Sequence, residues 1–197
     1  MSAKPYQRIL TMALKTLLGI KRQGFFIPHR YCNELPITGT LQEYSALNKI
    51  FLKSHETQLG FIKQINSYAD DLKFENVVSP PGPRWYQTWF PRLDGASAYT
   101  IVRKQRPSKI IEIGSGHSTR FMAQAIKDEG LNTELISIDP EPRASISELK
   151  VRSEKITLDK VDMSMFETLK ENDILFIDSS HIMMPGTDVD FLFNRIF

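Results

Sequence analysis

From Lys109 onward the sequence alternates short β-branched runs with amphipathic stretches, and few architectures accept that order. Lys109-Ile-Ile-Glu-Ile113 predicts a strand that runs into Gly114-Ser115-Gly116. Ser118 to Asp128 predicts a helix, with Phe121, Met122, Ala125 and Ile126 on one face and Gly130 just past its end. Leu135-Ile-Ser-Ile138 reads as a second strand, stopped by Asp139-Pro140. A helix over 144–150 and a third strand over 156–161 are expected next. A short helix over 166–170 then leads to Ile174-Leu-Phe-Ile177, the most apolar strand of the set. Continuous apolar strands separated by helices imply a parallel sheet covered on both faces. The expected fold is α/β, Rossmann-like and doubly wound, over residues 95–197.

Residues 1–94 read differently, as a helical extension and an aromatic linker. Met1 to Asn33 carries six Lys or Arg and no Asp or Glu, so with +2 overall the rest of the chain nets −4. Ile9, Leu10, Ala13, Leu14, Leu17 and Leu18 recur at helical spacing beside Arg8, Lys15 and Lys21. This stripe is expected to dock on the chain's own domain; the alternative is surface contact of residues 4–22 with acidic lipid or a partner. One or two helices are expected over 41–72, with Gly60 as the break. Ser79-Pro80-Pro81-Gly82-Pro83 excludes regular structure. Trp85, Tyr86, Trp89 and Phe90 follow, either lining a substrate pocket or plugging the join to the next domain. A helix over 96–104 with Asp94 near its start is expected next, at the opening of the α/β part. No apolar run approaches the ~20 residues of a membrane helix. Cys32 is the one cysteine, so neither an internal disulfide nor a cysteine-based zinc site can form, and a reducing cytoplasm is the expected setting. With no basic stripe on the α/β part, nucleic acid is not an expected partner.

In open α/β sheets, ligands bind beyond the carboxyl ends of the strands. Each strand end here carries a suitable group. The first gives Glu112, Gly114, Ser115, Gly116, His117 and Ser118, the second Asp139-Pro140, the third Asp162-Met163, and the fourth Asp178-Ser-Ser-His181. Glycines allow a tight turn and close backbone approach, and the following helix offers free N–H groups. A dinucleotide fingerprint needs a third glycine where Thr119 stands, and no Gly-Lys-Ser/Thr follows for a P-loop. Glu112, two residues before the first glycine, would repel a pyrophosphate but suit an ammonium and a sulfonium, which together with ribose and adenine describe S-adenosylmethionine. Asp139 can accept from two ribose hydroxyls or serve its turn; Asp162 can bind adenine or cap a helix. Glu112 could instead pair with Arg120.

The stretches IIEIGSGHSTRF, ISIDPEPR and ILFIDSSH resemble the class I S-adenosylmethionine-dependent methyltransferases, over about Trp85 to the C-terminus. The likeness is strongest to a small-molecule-type bacterial branch, and RQGFFIPHRY with PRWYQTWFPRLDG is similar to bacterial members with the same front extension. The resemblance implies that Glu112 and the Gly114–Gly116 loop hold the methionine part. It also implies that Asp139 holds the ribose, that Asp162 and Met163 frame the adenine, and that Asp178 sits near the sulfonium and the acceptor. His181, just past the fourth strand, is either the general base for a hydroxyl on a small-molecule acceptor or a hydrogen-bonding partner of the adjacent loop. Catechol-type relatives bind magnesium through an Asp in the place of Asp178, with Asp188 and Asp190 at hand; magnesium is considered but not favoured. A nicotinamide oxidoreductase or an inactive cofactor-binding protein are the competing readings. The family has seven strands and four are found, so a truncated product, or a sheet completed by a homo-oligomer through the fourth-strand edge, is expected.

Overall fold

The computed structural model describes residues 4–25, 27–36, 39–41, 43–74 and 81–196. Ser79 and Pro80 of the proline-rich segment, and Phe197, lie outside them. The chain divides into two compact units, residues 1–53 and 54–197. That division falls upstream of the 94/95 boundary read from the sequence. The reason is packing: Tyr68, Leu72, Phe74, Trp85 and Phe90 all contribute to the core of the α/β part.

The first unit holds helix α1 (Lys4–Leu17), a 3-10 turn at Cys32–Glu34, and helix α2 (Ser45–Lys53). The spacing of Ile9, Leu10, Leu14 and Leu17 gives α1 as expected. The stripe finds no cover, however: these four side chains and Leu18 are 50–69% exposed. The expectation of docking is therefore not met within this unit.

The second unit opens with α3 (His55–Ser67), which runs straight through Gly60; the break between helices is at Ser54 instead. Next come α4 (Arg92–Gln105), β1 (Lys109–Ile113), α5 (His117–Asp128), β2 (Glu134–Ile138), β3 (Arg152–Glu154), a 3-10 turn at Leu158–Lys160, α6 (Ser164–Glu167), β4 (Ile174–Ile177) and α7 (Asp188–Arg195). The strands form one sheet in the order β3-β2-β1-β4, with all three pairings parallel. The fold is α/β and Rossmann-like.

Two expectations are corrected. The third strand is Arg152–Glu154, not 156–161. As an edge strand it needs no apolar alternation, while Leu158 and Val161 are spent on the core beneath the sheet. No helix forms over 144–150: Ile146 and Leu149 make a single turn, and the Ser145 carbonyl is taken by the Arg120 guanidinium at 3.0 and 2.8 Å.

Alternation along the strands makes two cores. Ile110 and Leu135 face α4 and α5, where Tyr99, Val102, Phe121, Met122 and Ala125 complete one cluster. Ile111, Ile113, Ile136 and Ile138 face the other way, against Leu158, Val161, Phe166 and Leu192. Both faces are thus covered, as a parallel sheet requires. Phe121 is the hub of the first core, ringed by Phe74, Trp85 and Phe90 at 5.0–6.1 Å between centroids. Gly95 in α4 presses on it: a Cβ there would fall 2.7 Å from the ring. Alanine normally gains about 0.5–1 kcal/mol over glycine in a helix. Here the ring has nowhere to go, and overpacking of about 1–3 kcal/mol should outweigh that gain. Gly95→Ala is expected to lower the urea midpoint, and a raised midpoint would show the core to be slack.

Among the described residues no helix is long and apolar enough to cross a membrane.

Candidate functional site

Strand order reverses at β1. The chain steps outward from β1 to β2 to β3, then returns to place β4 on the other side of β1. The carboxyl ends of β1 and β4 therefore flank the crevice where open α/β sheets bind ligands. Gly114 is what lets these two ends close up: its φ is +93°, and a Cβ would lie 2.0 Å from the Asp178 carbonyl oxygen. The Asp178 N–H donates to the Ile113 carbonyl at 2.9 Å, and the Gly114 N–H to that of Ile138 at 2.9 Å.

Glu112 shares the parity of Ile110 along β1, which turns it toward the α5 face of the sheet. It is completely buried. The Ser118 hydroxyl donates to Oε1 at 2.5 Å and the Thr119 hydroxyl to Oε2 at 2.6 Å. Thr119 Oγ1 also accepts from the Gly116 N–H at 2.9 Å, so one hydroxyl ties the glycine turn to the carboxyl group. Burial raises the Glu112 pKa to about 8; the two hydroxyl bonds oppose it, and the Asp178 and Asp139 charges add to it. Glu112 is thus protonated at neutral pH until a cation arrives. The expected alternative partner goes elsewhere. Arg120 bonds the Ser145 carbonyl, with a long 3.5 Å contact to that of Gly82.

Asp139 stands half-buried at the end of β2. The Ser115 hydroxyl donates to its Oδ2 at 3.1 Å and the Glu141 N–H to its Oδ1 at 2.8 Å. It therefore serves the turn and faces the glycine loop at once, while Pro140 is exposed beyond it. Asp162 is exposed and accepts from the Ser164 N–H at 3.0 Å; bonds from Ser164 hold its carboxyl below the usual range. That bond spans two residues and ties the turn leading into α6, whose N-cap residue is Met163. Met163 is half-buried and packs against the second core. No hydrogen bond among the described residues joins this pair to the other site residues.

His117 begins α5 and is 6% exposed, and its Nδ1 has no hydrogen-bond partner among the described residues. Burial, then the charges of Arg120 and Arg84, lower its pKa to about 4, so the ring is neutral. His181 sits past β4 with φ +59°, and its Nε2 lies 3.3 Å from Asp178 Oδ1. The imidazole is 74% exposed and the carboxylate 34%. Asp188 pins this loop by accepting from the Ser180 N–H at 2.8 Å and from its hydroxyl. Asp190 accepts from the Gly186 N–H at 2.9 Å. Both carboxylates are committed to the loop and to α7, and among the described residues no three His, Cys, Asp or Glu converge on a common point. The residues present do not fit a magnesium ion.

The aromatic segment divides. Trp85 and Phe90 are plugs, and Trp85 Nε1–H also donates to the Leu72 carbonyl at 3.1 Å. Tyr86 and Trp89 are exposed, and Trp85, Tyr86, Gln87 and Leu93 line part of an open hollow of about 670 Å³.

The sequence singled out Glu112, Gly114, Ser115, Gly116, Ser118, Asp139 and Asp178, and the fold brings them together. Thr119 was read only as a missing glycine. A hydroxyl residue at that place, one turn above a strand acid, is the signal for its bridging role. A parallel sheet with a glycine turn at the switch point, a buried strand acid and a second acid at the next strand end is an arrangement consistent with a class I methyltransferase-type domain. Residues 111–194 match the family model described as a methyltransferase domain, which supports a place for the α/β part in the class I methyltransferase family. No curated protein and no solved structure matches the chain.

Proposed function

We propose that the protein is an S-adenosylmethionine-dependent methyltransferase that delivers its methyl group to a small-molecule acceptor at oxygen. The observation that carries this is Glu112, a carboxyl group buried under the glycine turn with no cation of its own. A ligand ammonium supplies the missing partner and draws the proton off. The remaining groups fit the same ligand. Asp139 stands at the end of the neighbouring strand for the ribose hydroxyls, and Asp162 with Met163 lies past β3 for the adenine. Thr119 counts against a dinucleotide, because its bridge to Glu112 occupies the space a third glycine would leave open. The lone, exposed Cys32 accords with a cytoplasmic setting.

S-adenosylmethionine, when bound, supplies a methyl carbon already activated by positive sulfur. The chain's own work is alignment, which can be worth about 7–11 kcal/mol of a barrier. Asp178 orients His181 by accepting from its Nε2–H, which leaves Nδ1 as the nitrogen that takes the proton of an acceptor hydroxyl, a contribution of about 10²–10⁴-fold.

The test is calorimetric titration with S-adenosylmethionine and S-adenosylhomocysteine. Asp139→Ala is expected to weaken both at least tenfold. Asp139→Asn keeps an acceptor for the Glu141 N–H, so it should fold normally and still lose affinity. Unchanged affinity in both variants would remove Asp139 from the site. Affinity in the parent protein without turnover on any acceptor would favour a binding protein with this fold.

A further inference from the structure

The charged groups around the glycine turn fall into two separate sets. The charges of Asp139 and Asp178 both act on Glu112 at the strand ends. Arg84, Arg120 and His117 act on one another at the first turn of α5. Arg143 joins the second set through the fold: its Cβ lies 3.8 Å from where a Cβ on Gly116 would stand, and its guanidinium sits 4.4 Å from the centre of the Trp89 ring. Three segments meet here because Arg120 gathers them, taking the carbonyls of Ser145 and Gly82.

These arginines are uncompensated. None of Arg84, Arg120 and Arg143 forms an ion pair among the described residues, whereas Arg103 and Arg106 are both paired with Glu129. Arg120 is 3% exposed, held only by neutral carbonyls, and its pKa is lowered by that burial and by Arg84. A buried guanidinium without a carboxylate is costly, and the cost is recovered when an anion arrives. Arg84 lies two residues past Gly82, whose carbonyl Arg120 contacts, and both Arg84 and Arg143 are exposed. The start of a 12-residue helix adds its own preference for negative charge.

We propose that the acceptor carries an anionic group, a carboxylate or a phosphate, gripped by Arg84 and Arg143 beside the first turn of α5, with Arg120 fixed behind them and Trp89 as a wall. This rests on the methyltransferase reading. The cofactor does not use up the cluster, since its one carboxylate offsets one of three guanidiniums. Its net charge is positive as well, so its arrival makes the crevice more attractive to an anion. The acidic strand ends match the cationic cofactor, and the basic helix start matches the acceptor.

The test uses the full chain saturated with S-adenosylhomocysteine and titrated with benzoate, phenyl phosphate and the neutral benzyl alcohol. The anions are expected to bind at least tenfold more tightly than the alcohol. The double variant Arg84→Ala, Arg143→Ala should erase that preference, leave S-adenosylhomocysteine affinity within about twofold, and keep its circular dichroism. The preference of benzoate over phenyl phosphate, or the reverse, tells carboxylate from phosphate. Equal binding of anions and alcohol overturns the proposal while the cofactor reading stands. Loss of S-adenosylhomocysteine affinity in the double variant also overturns it, by assigning the arginines to the cofactor carboxylate. If S-adenosylhomocysteine does not bind the parent protein at all, the methyltransferase reading itself falls and takes this one with it.

Discussion

Replacing Glu112 by glutamine is expected to give a protein that folds at least as well as the parent but binds S-adenosylhomocysteine at least a hundredfold more weakly. The two halves of this result have one cause. Glu112 is completely buried, with its pKa raised to about 8, so at pH 7 the native state holds a neutral carboxyl group. Glutamine has the same shape, can accept from Thr119 and can donate to Ser118, so little of the packing changes. What glutamine cannot do is become an anion for the ligand ammonium. Removing one partner of a buried ion pair costs about 3–5 kcal/mol, and even the lower figure exceeds a hundredfold. The pH dependence separates this from a packing defect. A carboxyl whose native pKa lies above its unfolded value stabilises the fold fully below about pH 4.5, and that contribution is lost as pH rises through about 8. His117 acts oppositely, since its pKa is lowered to about 4: its contribution is present above about pH 6.5 and lost as pH falls. The two offset each other between pH 4.5 and 6.5. Above pH 6.5 only Glu112 acts, so the parent protein should lose stability between pH 6.5 and 8, and Glu112→Gln should not. Ligand binding at pH 7 should also release close to one proton, measured by titration in buffers of different ionisation enthalpy. A glutamine variant that keeps its affinity, or a parent protein that releases no proton, would remove Glu112 from the cofactor's ammonium.

Much of this site was legible because strand ends are legible. β1 and β4 were read at their observed limits, since each is a β-branched or apolar run cut off by glycine or aspartate. Once the strands are placed, their carboxyl ends must lie along one edge of the sheet, which gathers Glu112 near the end of β1 with Asp139 and Asp178 just past β2 and β4. The errors came where tertiary packing overrides local pattern. Apolar residues over 156–161 read as a strand, yet they cover the sheet from below, and the true β3 is the polar triplet Arg152–Glu154. The connection over 144–150 has helical composition but gives a carbonyl to Arg120, a contact that no local rule contains. The pairing of Arg143 with Trp89 across 54 positions has the same character. Local pattern places the acids of the site; the arginines are placed by contacts between distant segments.

The sharpest test of the crevice itself is Gly114→Ala, expected to abolish S-adenosylhomocysteine binding and to destabilise the fold by about 3 kcal/mol or more. Two effects add. A φ of +93° is a conformation that residues with a Cβ rarely adopt. The added Cβ would also stand 2.0 Å from the Asp178 carbonyl oxygen and 2.9 Å from its carbon, which are backbone atoms that cannot rotate away. Relief requires the ends of β1 and β4 to part, breaking the 2.9 Å bond from the Asp178 N–H to the Ile113 carbonyl and moving His181 with its loop. Gly116 provides the control. Its φ of +146° is also unfavourable for alanine, but the nearest atoms to an added Cβ are at 3.5–3.8 Å, which is ordinary contact. Gly116→Ala should therefore cost backbone strain alone, and its melting temperature should lie well above that of Gly114→Ala. Equal losses would mean that strain dominates both positions and that the approach of β1 to β4 is not what shapes the site. A larger loss at Gly116 would shift the constraint from the strand ends to the start of α5, where the arginine cluster gathers.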